Sequence, residues 1–275
     1  MKKKIILLII LLVLLVLAGI GFYIWERFFK AKAETQSNNT NSIADRAQDI
    51  PKVSEYKVPI LMYHYIRDAS GESELGKNLS VSPANFALQL KWLKENNYQS
   101  IKVSDLADPE KATLSKVYFD EKNPIVLTFD DGYKDAYTQA LPVLKQYGFI
   151  GTFYIIKGYI GGGNYMNQSE IDELQGAGNE IGSHTLTHPD LTNISPVEAK
   201  KQIFDSKGNS IAFCYPSGKY NDAIIALVKE AGYLTATTTH LGIADQNSDL
   251  FGLSRVRVED GSGEVLKNKI ESAKQ

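Results

Sequence analysis

The chain has 275 residues, enough for one large domain and further segments, and its 43% hydrophobic and 23% charged residues are an ordinary globular mixture. The net charge is −2, but residues 57–275 hold 22 Lys/Arg and 27 Asp/Glu, so this part is mildly acidic. An acidic domain lacks the basic footprint of a nucleic-acid-binding protein, and a single cysteine, Cys214, excludes both a disulfide framework and a zinc site built from several thiolates.

An uncharged run from Ile5 to Trp25 follows three lysines at the N-terminus. As a helix, its 21 residues would be about 31 Å long, which is enough to span a bilayer. The lysines favour a cytoplasmic N-terminus, so we predict a membrane anchor at residues 1–25. A cleaved signal peptide is the alternative, because Ala31-Lys32-Ala33 has the small-x-small form of a cleavage site. Either way the remainder is exported: it is an extracellular domain of a single-pass cell-membrane protein, or it is secreted.

Residues 26–56 are predicted to be a flexible linker. Glu34 to Gln48 is rich in Asn, Gln, Ser and Thr and poor in large apolar residues, so it cannot bury a core. A spacer of this kind would let an anchored domain, residues 57–275, reach a target outside the membrane.

From residue 57 onward, predicted strands alternate with predicted helices. The expected strands are 58–64, 98–101, 125–129, 151–156, 180–183, 211–215, 233–238 and 255–258. Helices are expected after the caps Ser82 and Ser195, and at 135–147, 169–177 and 221–231. This alternation predicts an α/β fold with a largely parallel sheet.

Two adjacent carboxylates, Asp130 and Asp131, follow the apolar strand 125–129 and precede Gly132. The carboxyl ends of strands are where α/β folds place their chemistry. Neighbouring side chains on an extended chain point to opposite sides, so the two acids can hold different partners. The alternative is an Asp-Asp-Gly turn that closes a strand and has no chemical role.

His184 and His188 are four residues apart and directly follow the expected strand 180–183. On a helical turn this spacing puts both imidazoles on one face, where they could bind one metal ion; solvated or core histidines are the alternative. With Asp131 they make a three-ligand site with an open position, where a metal ion can lower the pKa of water from about 15.7 toward 7. Asp130, if it is not a ligand, is placed to accept a proton from that water.

Two further positions could carry chemistry, and two others are interpreted as having no chemical role. Tyr215-Pro216-Ser217-Gly218 interrupts a strand and exposes backbone N–H groups that could stabilise an oxyanion, although a plain turn is the alternative. His64 ends the first strand and suits proton donation to a leaving amine, unless it is a surface or core histidine. Cys214 is interpreted as a core residue rather than a nucleophile, and His240, in an expected loop, as incidental.

Together these segments resemble the polysaccharide deacetylases, the NodB-homology domains of carbohydrate esterase family four. Thr128-Phe129-Asp130-Asp131-Gly132 is similar to the first family motif, and Ser183-His184-Thr185-Leu186-Thr187-His188 to the second. The two are about 50 residues apart and in the family's order, which makes the match specific. Phe213-Cys214-Tyr215-Pro216 falls where the third motif belongs.

The resemblance covers roughly residues 57–260 and implies a distorted (β/α) barrel that removes acetyl groups from N-acetylglucosamine in a polymer. By position, Asp130 would be the general base. Asp131, His184 and His188 would hold a divalent metal ion, most commonly zinc, and the Tyr215 backbone N–H would serve the oxyanion.

Three departures from the family pattern matter. The third motif lacks the Arg that orients the catalytic base, and we expect Arg255 or Arg257 to replace it. The late Leu-x-x-His motif is absent, but Pro59-Ile60-Leu61-Met62-Tyr63-His64 is similar to the start of the branch that includes the biofilm poly-N-acetylglucosamine deacetylases. In that branch the barrel is circularly permuted and an early histidine replaces the late one, which makes His64 the general acid. Finally, the segment 205–210 is short, which brings the packing near Tyr215, and full activity, into question.

The sequence therefore predicts a membrane-tethered, metal-dependent N-deacetylase of an extracellular polysaccharide, either biofilm poly-N-acetylglucosamine or peptidoglycan. A catalytically weak or inactive glycan-binding protein on the same scaffold is the alternative. A metal hydrolase that acts on another amide is a third possibility.

Overall fold

A computed structural model describes residues 56–108 and 123–274. The predicted anchor at 1–25 and all but the last residue of the predicted linker lie outside these ranges. Within them, no helix is long and apolar enough to cross a bilayer.

Short strands and helices alternate along the described chain. The strands are β1 Lys57–Val58, β2 Ile60–Tyr63, β3 Tyr65–Ile66, β4 Ser80–Val81, β5 Tyr98–Ile101, β6 Asn123–Phe129, β7 Thr152–Ile155, β8 Glu180–Ser183, β9 Ala212–Cys214, β10 Thr235–Leu241, β11 Ala244–Asp245 and β12 Leu253–Arg257. The α-helices are α1 Glu74–Leu79, α2 Pro83–Glu95, α3 Leu141–Tyr147, α4 Gln168–Gly176, α5 Pro196–Lys207, α6 Asp222–Glu230 and α7 Gly263–Ala273.

Seven parallel strands close into a barrel. Their order is β2, β12, β10, β9, β8, β7 and β6, and β6 pairs back onto β2 to complete the ring. Strand β5 pairs with the first half of β6. The first barrel strand in sequence, β2, therefore lies between the last strand, β12, and the strand that precedes the acidic pair, β6. This closed ring of parallel strands is the predicted (β/α) barrel.

Alternation along the strands separates two apolar layers. Ile60, Val126, Tyr154, Ala212 and Leu253, from five strands, form one cluster inside the barrel. The neighbouring residues of the same strands, among them Leu61, Leu127 and Phe153, pack outward against buried residues of the helices. Because successive side chains on a strand point to opposite faces, each residue two positions beyond an inward one also faces the barrel axis.

The helix caps and ends follow the sequence closely. Ser82 Oγ accepts from Asn85 N at the start of α2, and Ser195 Oγ accepts from Glu198 N at the start of α5. One difference lies before α3, where the expected helix over 135–147 begins with a π-helical stretch, Ala136–Ala140. Gly148, at φ 75°, ends α3 in the left-handed conformation that glycine tolerates.

Candidate active site

The polar groups of the site continue the inward-facing rows of their strands. Asp130 follows Val126 and Thr128 on β6, and His64 follows Ile60 and Met62 on β2. By the same alternation of side chains, His184 just beyond β8, Cys214 at the end of β9 and Arg255 on β12 also face the barrel axis. The carboxyl ends of these parallel strands meet at one rim, so five positions distant in sequence converge there.

The backbone around the predicted metal ligands is turned, not helical. Asp131, Thr185 and His188 have φ values of 73°, 68° and 59°. The expectation that His184 and His188 share a helical turn is therefore wrong, because residues in the left-handed region cannot continue a right-handed helix. Backbone conformations of this kind persist where surrounding contacts impose them, and they are common at functional sites.

A buried glutamine holds this loop, and sequence reasoning missed it. Gln202 Oε1, on α5, accepts from Leu186 N at 3.1 Å and Thr187 N at 3.0 Å. Its Nε2 donates to Thr187 Oγ1 at 3.0 Å. The only hint in the sequence is a glutamine on the helix face that also carries Ala199 and Ile203.

Asp131, His184 and His188 come together at the rim. Asp131 Oδ1 lies 3.4 Å from His184 Nε2 and 3.7 Å from His188 Nε2, and the three ligand atoms lie within 4.8 Å of one another. Ligands about 2.0–2.1 Å from a tetrahedral zinc ion are separated by about 3.4 Å, so the spacing suits such an ion. His184 Nδ1 bonds to the Cys214 carbonyl at 2.8 Å, which leaves Nε2 available as the ligand atom. The residues present therefore fit a divalent metal ion.

A second group of possible ligand atoms, from Asp130, His184 and Cys214, is less suitable. Both oxygens of Asp130 accept from the guanidinium of Arg255, and the Cys214 sulfur lies 3.3 Å from the same guanidinium. A buried positive charge already neutralises this group, so a cation is expected at Asp131 instead.

Of the two arginines expected to replace the missing arginine of the third motif, Arg255 is the one that bonds to Asp130. It is 1% exposed, and its Nη1 and Nη2 donate to Asp130 Oδ1 and Oδ2, each at 2.8 Å. Nη1 also reaches Thr128 Oγ1 at 3.0 Å, and Nε reaches the Thr238 carbonyl at 2.6 Å. Together with the Cys214 sulfur, these partners engage every N–H direction of the guanidinium. Arg257, the other candidate, is exposed.

The ion pair fixes the charge of Asp130. Burial alone raises the pKa of this carboxyl, but Arg255 and, to a smaller extent, His64 outweigh burial, so its pKa lies well below the usual range. Asp130 is therefore an ionised carboxylate whose orientation is set by a bidentate partner.

His64 lies on the other side of Asp130. Its Nε2 is 3.7 Å from Asp130 Oδ2, and its side chain is 15% exposed. Burial lowers the pKa of His64, and Asp130 and Asp131 only partly offset this. The histidine is thus neutral at rest near neutral pH, and it lies close to the carboxylate and to the metal ligands.

The predicted oxyanion donor is engaged in the sheet. The Tyr215 N–H donates to the Thr237 carbonyl at 3.2 Å, in register with the pairing of β9 and β10. Two residues on, Ser217 has φ 55°, and its N–H has no hydrogen-bond partner in the described part of the chain. Sequence reasoning placed a donor in this turn but did not single out Ser217, because its backbone direction depends on the left-handed conformation.

The segment 205–210 borders a cavity, and Tyr215 is nevertheless well packed. Residues 206–210 line a cavity of about 260 Å³ together with residues of α4 and β8. Tyr215 is fully buried, its hydroxyl donates to the Phe251 carbonyl at 3.0 Å, and its ring stacks on Tyr220. The packing near Tyr215 is therefore intact.

His240 is exposed, and the centroid of its ring lies 5.8 Å from the centroid of the Tyr220 ring.

Comparison with known proteins gives one family. The sequence model of the polysaccharide deacetylases matches residues 119–236. A Bacillus subtilis protein, YxkH, whose name places it among polysaccharide deacetylases, is 33% identical over 231 residues, covering 79% of this chain and 77% of that one. A Staphylococcus aureus poly-β-1,6-N-acetyl-D-glucosamine N-deacetylase is 27% identical over 261 residues, covering 82% of this chain and 87% of that one.

Comparison with solved structures indicates the same family. The solved structure of the Streptococcus pyogenes deacetylase PplD, in complex with acetate, superposes with a TM-score of 0.69 at 32% identity, over 79% of this chain and 99% of that one. One third of the residues are thus shared with relatives that are matched over most of their length. The chain belongs to the polysaccharide deacetylase family, and it is an enzyme of that family, a polysaccharide deacetylase.

Proposed function

We propose that this protein removes N-acetyl groups from N-acetylglucosamine residues of an extracellular polysaccharide, either biofilm poly-N-acetylglucosamine or peptidoglycan. One observation carries the proposal. Three ligand side chains, Asp131, His184 and His188, lie beside an ionised carboxylate, Asp130, that is held by Arg255 instead of by a metal ion. A metal site next to an independent base is an arrangement that can hydrolyse an amide.

Asp131, His184 and His188 would hold a divalent ion, for which zinc is the best match to the two-imidazole, one-carboxylate set. When bound, the ion lowers the pKa of water and polarises the acetamide carbonyl. Asp130 accepts a proton from the attacking water as its oxygen bonds to the carbonyl carbon. The Ser217 N–H in the turn after β9 donates to the resulting oxyanion, whereas the Tyr215 N–H would first have to give up its bond to the Thr237 carbonyl.

The tetrahedral species then collapses. The C–N bond breaks, and a proton must reach the departing amine so that it leaves neutral. His64 delivers this proton, because it is the imidazole nearest to Asp130 and can carry the proton onward to the nitrogen. Acetate and a glucosamine residue in the polymer are the products.

The relatives support the proposed reaction and one of the two proposed polymers. The Staphylococcus aureus relative is named for poly-β-1,6-N-acetyl-D-glucosamine, and the Streptococcus pyogenes structure contains acetate, the second product of this reaction. Each amine released adds a positive charge to the polymer, and the mildly acidic residues 57–275 would not repel such a product.

The test is acetate release by the full-length chain from poly-β-1,6-N-acetylglucosamine and from peptidoglycan, each with and without a chelator. We expect acetate from at least one polymer, loss with chelator, and recovery when zinc is added back. Asp130→Asn should abolish turnover, whereas Asp68→Asn, an exposed control, should not. If the protein binds the polymer but releases no acetate with any of the metals tried, the glycan-binding alternative is supported instead.

We also propose that the protein acts outside the cytoplasmic membrane, tethered by residues 1–25 or released after cleavage. The substrate polymers lie outside the cell, and the apolar run from Ile5 to Trp25 is long enough for an anchor. Fractionation of cells with an antibody to the catalytic part distinguishes the two: membrane-bound protein at full mass supports the anchor, and released protein shortened at its N-terminus supports cleavage.

A further inference from the structure

Four tyrosine rings form a continuous row beside the site. Tyr133 lies between Tyr65, with ring centroids 4.2 Å apart, and Tyr165, at 4.9 Å. Tyr165 in turn contacts Tyr159 at 4.9 Å. We call Tyr65, Tyr133, Tyr165 and Tyr159 the tyrosine row. Arg67 covers its far end, 3.6 Å above the ring of Tyr65.

The row is attached to the catalytic rim at three points. Tyr65 directly follows His64, and Tyr133 is two residues after Asp131. At the other end, the Tyr159 hydroxyl donates to the Thr187 carbonyl at 3.2 Å, next to His188. The row therefore runs along one side of the proposed reaction centre instead of lying elsewhere on the surface.

Backbone hydrogen bonds hold the loop that carries the second half of the row. Met166 N donates to the Gly132 carbonyl at 3.0 Å, and Lys134 N donates to the Asn164 carbonyl at 2.7 Å. Tyr133 and Tyr165 face each other across this isolated antiparallel bridge. The rings are thus placed in advance by the main chain, which lowers the entropic cost of using them to bind a ligand.

The row faces solvent, and its surroundings are open. All four rings are only half-buried. Between Tyr159 and Tyr165 the loop holds half-buried Ile160 and then Gly161-Gly162-Gly163 and Asn164, which are exposed. A Cβ atom placed at Gly161 or Gly163 would meet nothing within 4 Å. Half-buried tyrosines beside three exposed glycines leave space for an extended ligand.

We propose that the tyrosine row is a subsite that binds the sugar rings next to the reacting residue, so that the enzyme prefers long N-acetylglucosamine oligomers to short ones. The inference rests on the proposed function and names the part of the polymer that this surface recognises. Pyranose rings present C–H groups that pack against aromatic rings and hydroxyls that exchange hydrogen bonds with tyrosine hydroxyls, and tyrosine offers both surfaces. The reacting acetamide would lie at the metal ligands, and neighbouring sugars would extend along the row past Tyr165.

The test compares chain lengths. The full-length protein, Tyr165→Ala and Tyr165→Phe are assayed for acetate release from a hexamer and a dimer of N-acetylglucosamine, in both β-1,4 and β-1,6 linkage. Tyr165→Ala should raise KM for the hexamer about 5-fold, equivalent to ~1 kcal/mol for one aromatic contact, while kcat and the dimer kinetics change less than about 2-fold. Tyr165→Phe should keep most of the hexamer preference, because the ring remains.

Tyr147→Ala is the matched control. Tyr147 is also half-buried, but it ends α3 just before β7 begins, so it lies at the opposite end of the barrel from the rim. Equal losses on hexamer and dimer in Tyr165→Ala, or a hexamer KM that does not change, would overturn the subsite. A similar rise in KM for the hexamer but not for the dimer in Tyr147→Ala would also overturn the subsite.

A binding measurement separates this inference from the proposed function. Calorimetric titration of the hexamer into the full-length chain and into Tyr165→Ala needs no turnover. If no oligomer or polymer yields acetate, the deacetylase reaction fails, yet about 5-fold weaker hexamer binding by Tyr165→Ala still supports the subsite. Equal hexamer affinity of the two proteins contradicts the subsite even if acetate is released. Tyr165→Leu serves in both assays if Tyr165→Ala does not fold, as judged by its circular dichroism.

Discussion

Arg255 and Asp130 form a bidentate ion pair in the barrel, with Nη1 to Oδ1 and Nη2 to Oδ2 both at 2.8 Å. Arg255 lies on β12 and Asp130 at the end of β6, and strand β2, which delivers His64, pairs with both strands between them. The pair therefore spans the strand of the proposed acid and fixes the proposed base beside it. In the third family motif the arginine would come from β9, whereas here the same charge comes from another strand.

Replacing Arg255 should damage both folding and catalysis. Arg255→Met leaves Asp130 as a buried carboxylate without its counterion, which costs about 3–5 kcal/mol of unfolding free energy. We expect kcat/KM to fall by at least about 100-fold, because the base loses its orientation. Arg257→Met, on the same strand but exposed, should leave both quantities unchanged. Urea unfolding and steady-state kinetics of the two variants measure these quantities. A larger loss of stability or of kcat/KM in Arg257→Met than in Arg255→Met would contradict the role of Arg255.

The same pair gives a pH dependence whose sign follows from the lowered pKa of Asp130. A carboxyl whose folded-state pKa lies below its ordinary value of 3.8 stabilises the fold above that pH, and this contribution disappears as pH falls. In Arg255→Met, burial is no longer opposed, so the pKa of Asp130 rises. The acid limb of kcat/KM against pH should then move to higher pH relative to the unaltered protein. An unmoved limb would mean that Asp130 does not control it.

The sequence predicted the barrel and the site residues to different degrees. Apolar runs predicted the strands, and the ends of those strands located Asp130, His64 and His184 at the edge where α/β folds place their chemistry. The conformation of the histidine loop was not predictable from spacing, because positive φ values at Thr185 and His188 depend on contacts with Gln202 from a later helix. Likewise, the choice of Arg255 over Arg257 depended on burial, which neighbouring arginines in a sequence do not reveal.

His64 should be needed for turnover but not for metal binding. We expect His64→Gln to lower kcat by about 10²–10⁴-fold, the usual contribution of a general acid. The metal ligands are other residues, so the metal content measured by mass spectrometry should stay the same. His240→Gln is the matched control, because His240 is exposed and belongs to neither group of possible ligands. Unchanged kcat in His64→Gln would remove it from the acid role.

Metal binding should depend on Asp131, His184 and His188 and not on Cys214. His188→Ala should lose the ion and the activity that a chelator also removes. Cys214→Ala should keep the ion, because His184 bonds to the carbonyl of Cys214, which the substitution preserves. For the unaltered protein, metal at 100 times its Kd should raise the unfolding free energy by about 2.7 kcal/mol. Loss of metal in Cys214→Ala would favour the Asp130, His184 and Cys214 group instead.

Tyr215 tests whether the oxyanion donor belongs to the backbone. Tyr215→Phe removes the hydroxyl that donates to the Phe251 carbonyl and should cost about 1 kcal/mol of stability. It leaves every backbone N–H of the turn in place, so kcat should stay within about 3-fold of the unaltered value. Denaturant unfolding and acetate release measure the two effects separately. A loss of kcat much larger than this, in a protein that remains folded, would assign a catalytic part to the side chain.

Asp135 should reduce the stability of the protein at neutral pH. Burial raises its pKa from 3.8 to about 6, and the nearby Ile66 N–H, Arg67 and Ala136 N–H only partly offset this. A raised carboxyl pKa means that the folded state holds the proton longer than the unfolded state, so the unfolding free energy falls as pH rises from about 4 to about 6. Asp135→Asn cannot ionise and should gain about 1–2 kcal/mol at pH 7 relative to the unaltered protein. Asp68→Asn, at an exposed carboxyl whose pKa is lowered by hydrogen bonds with Ser70, should show no such gain, and urea unfolding at pH 4.5 and 7 compares the two.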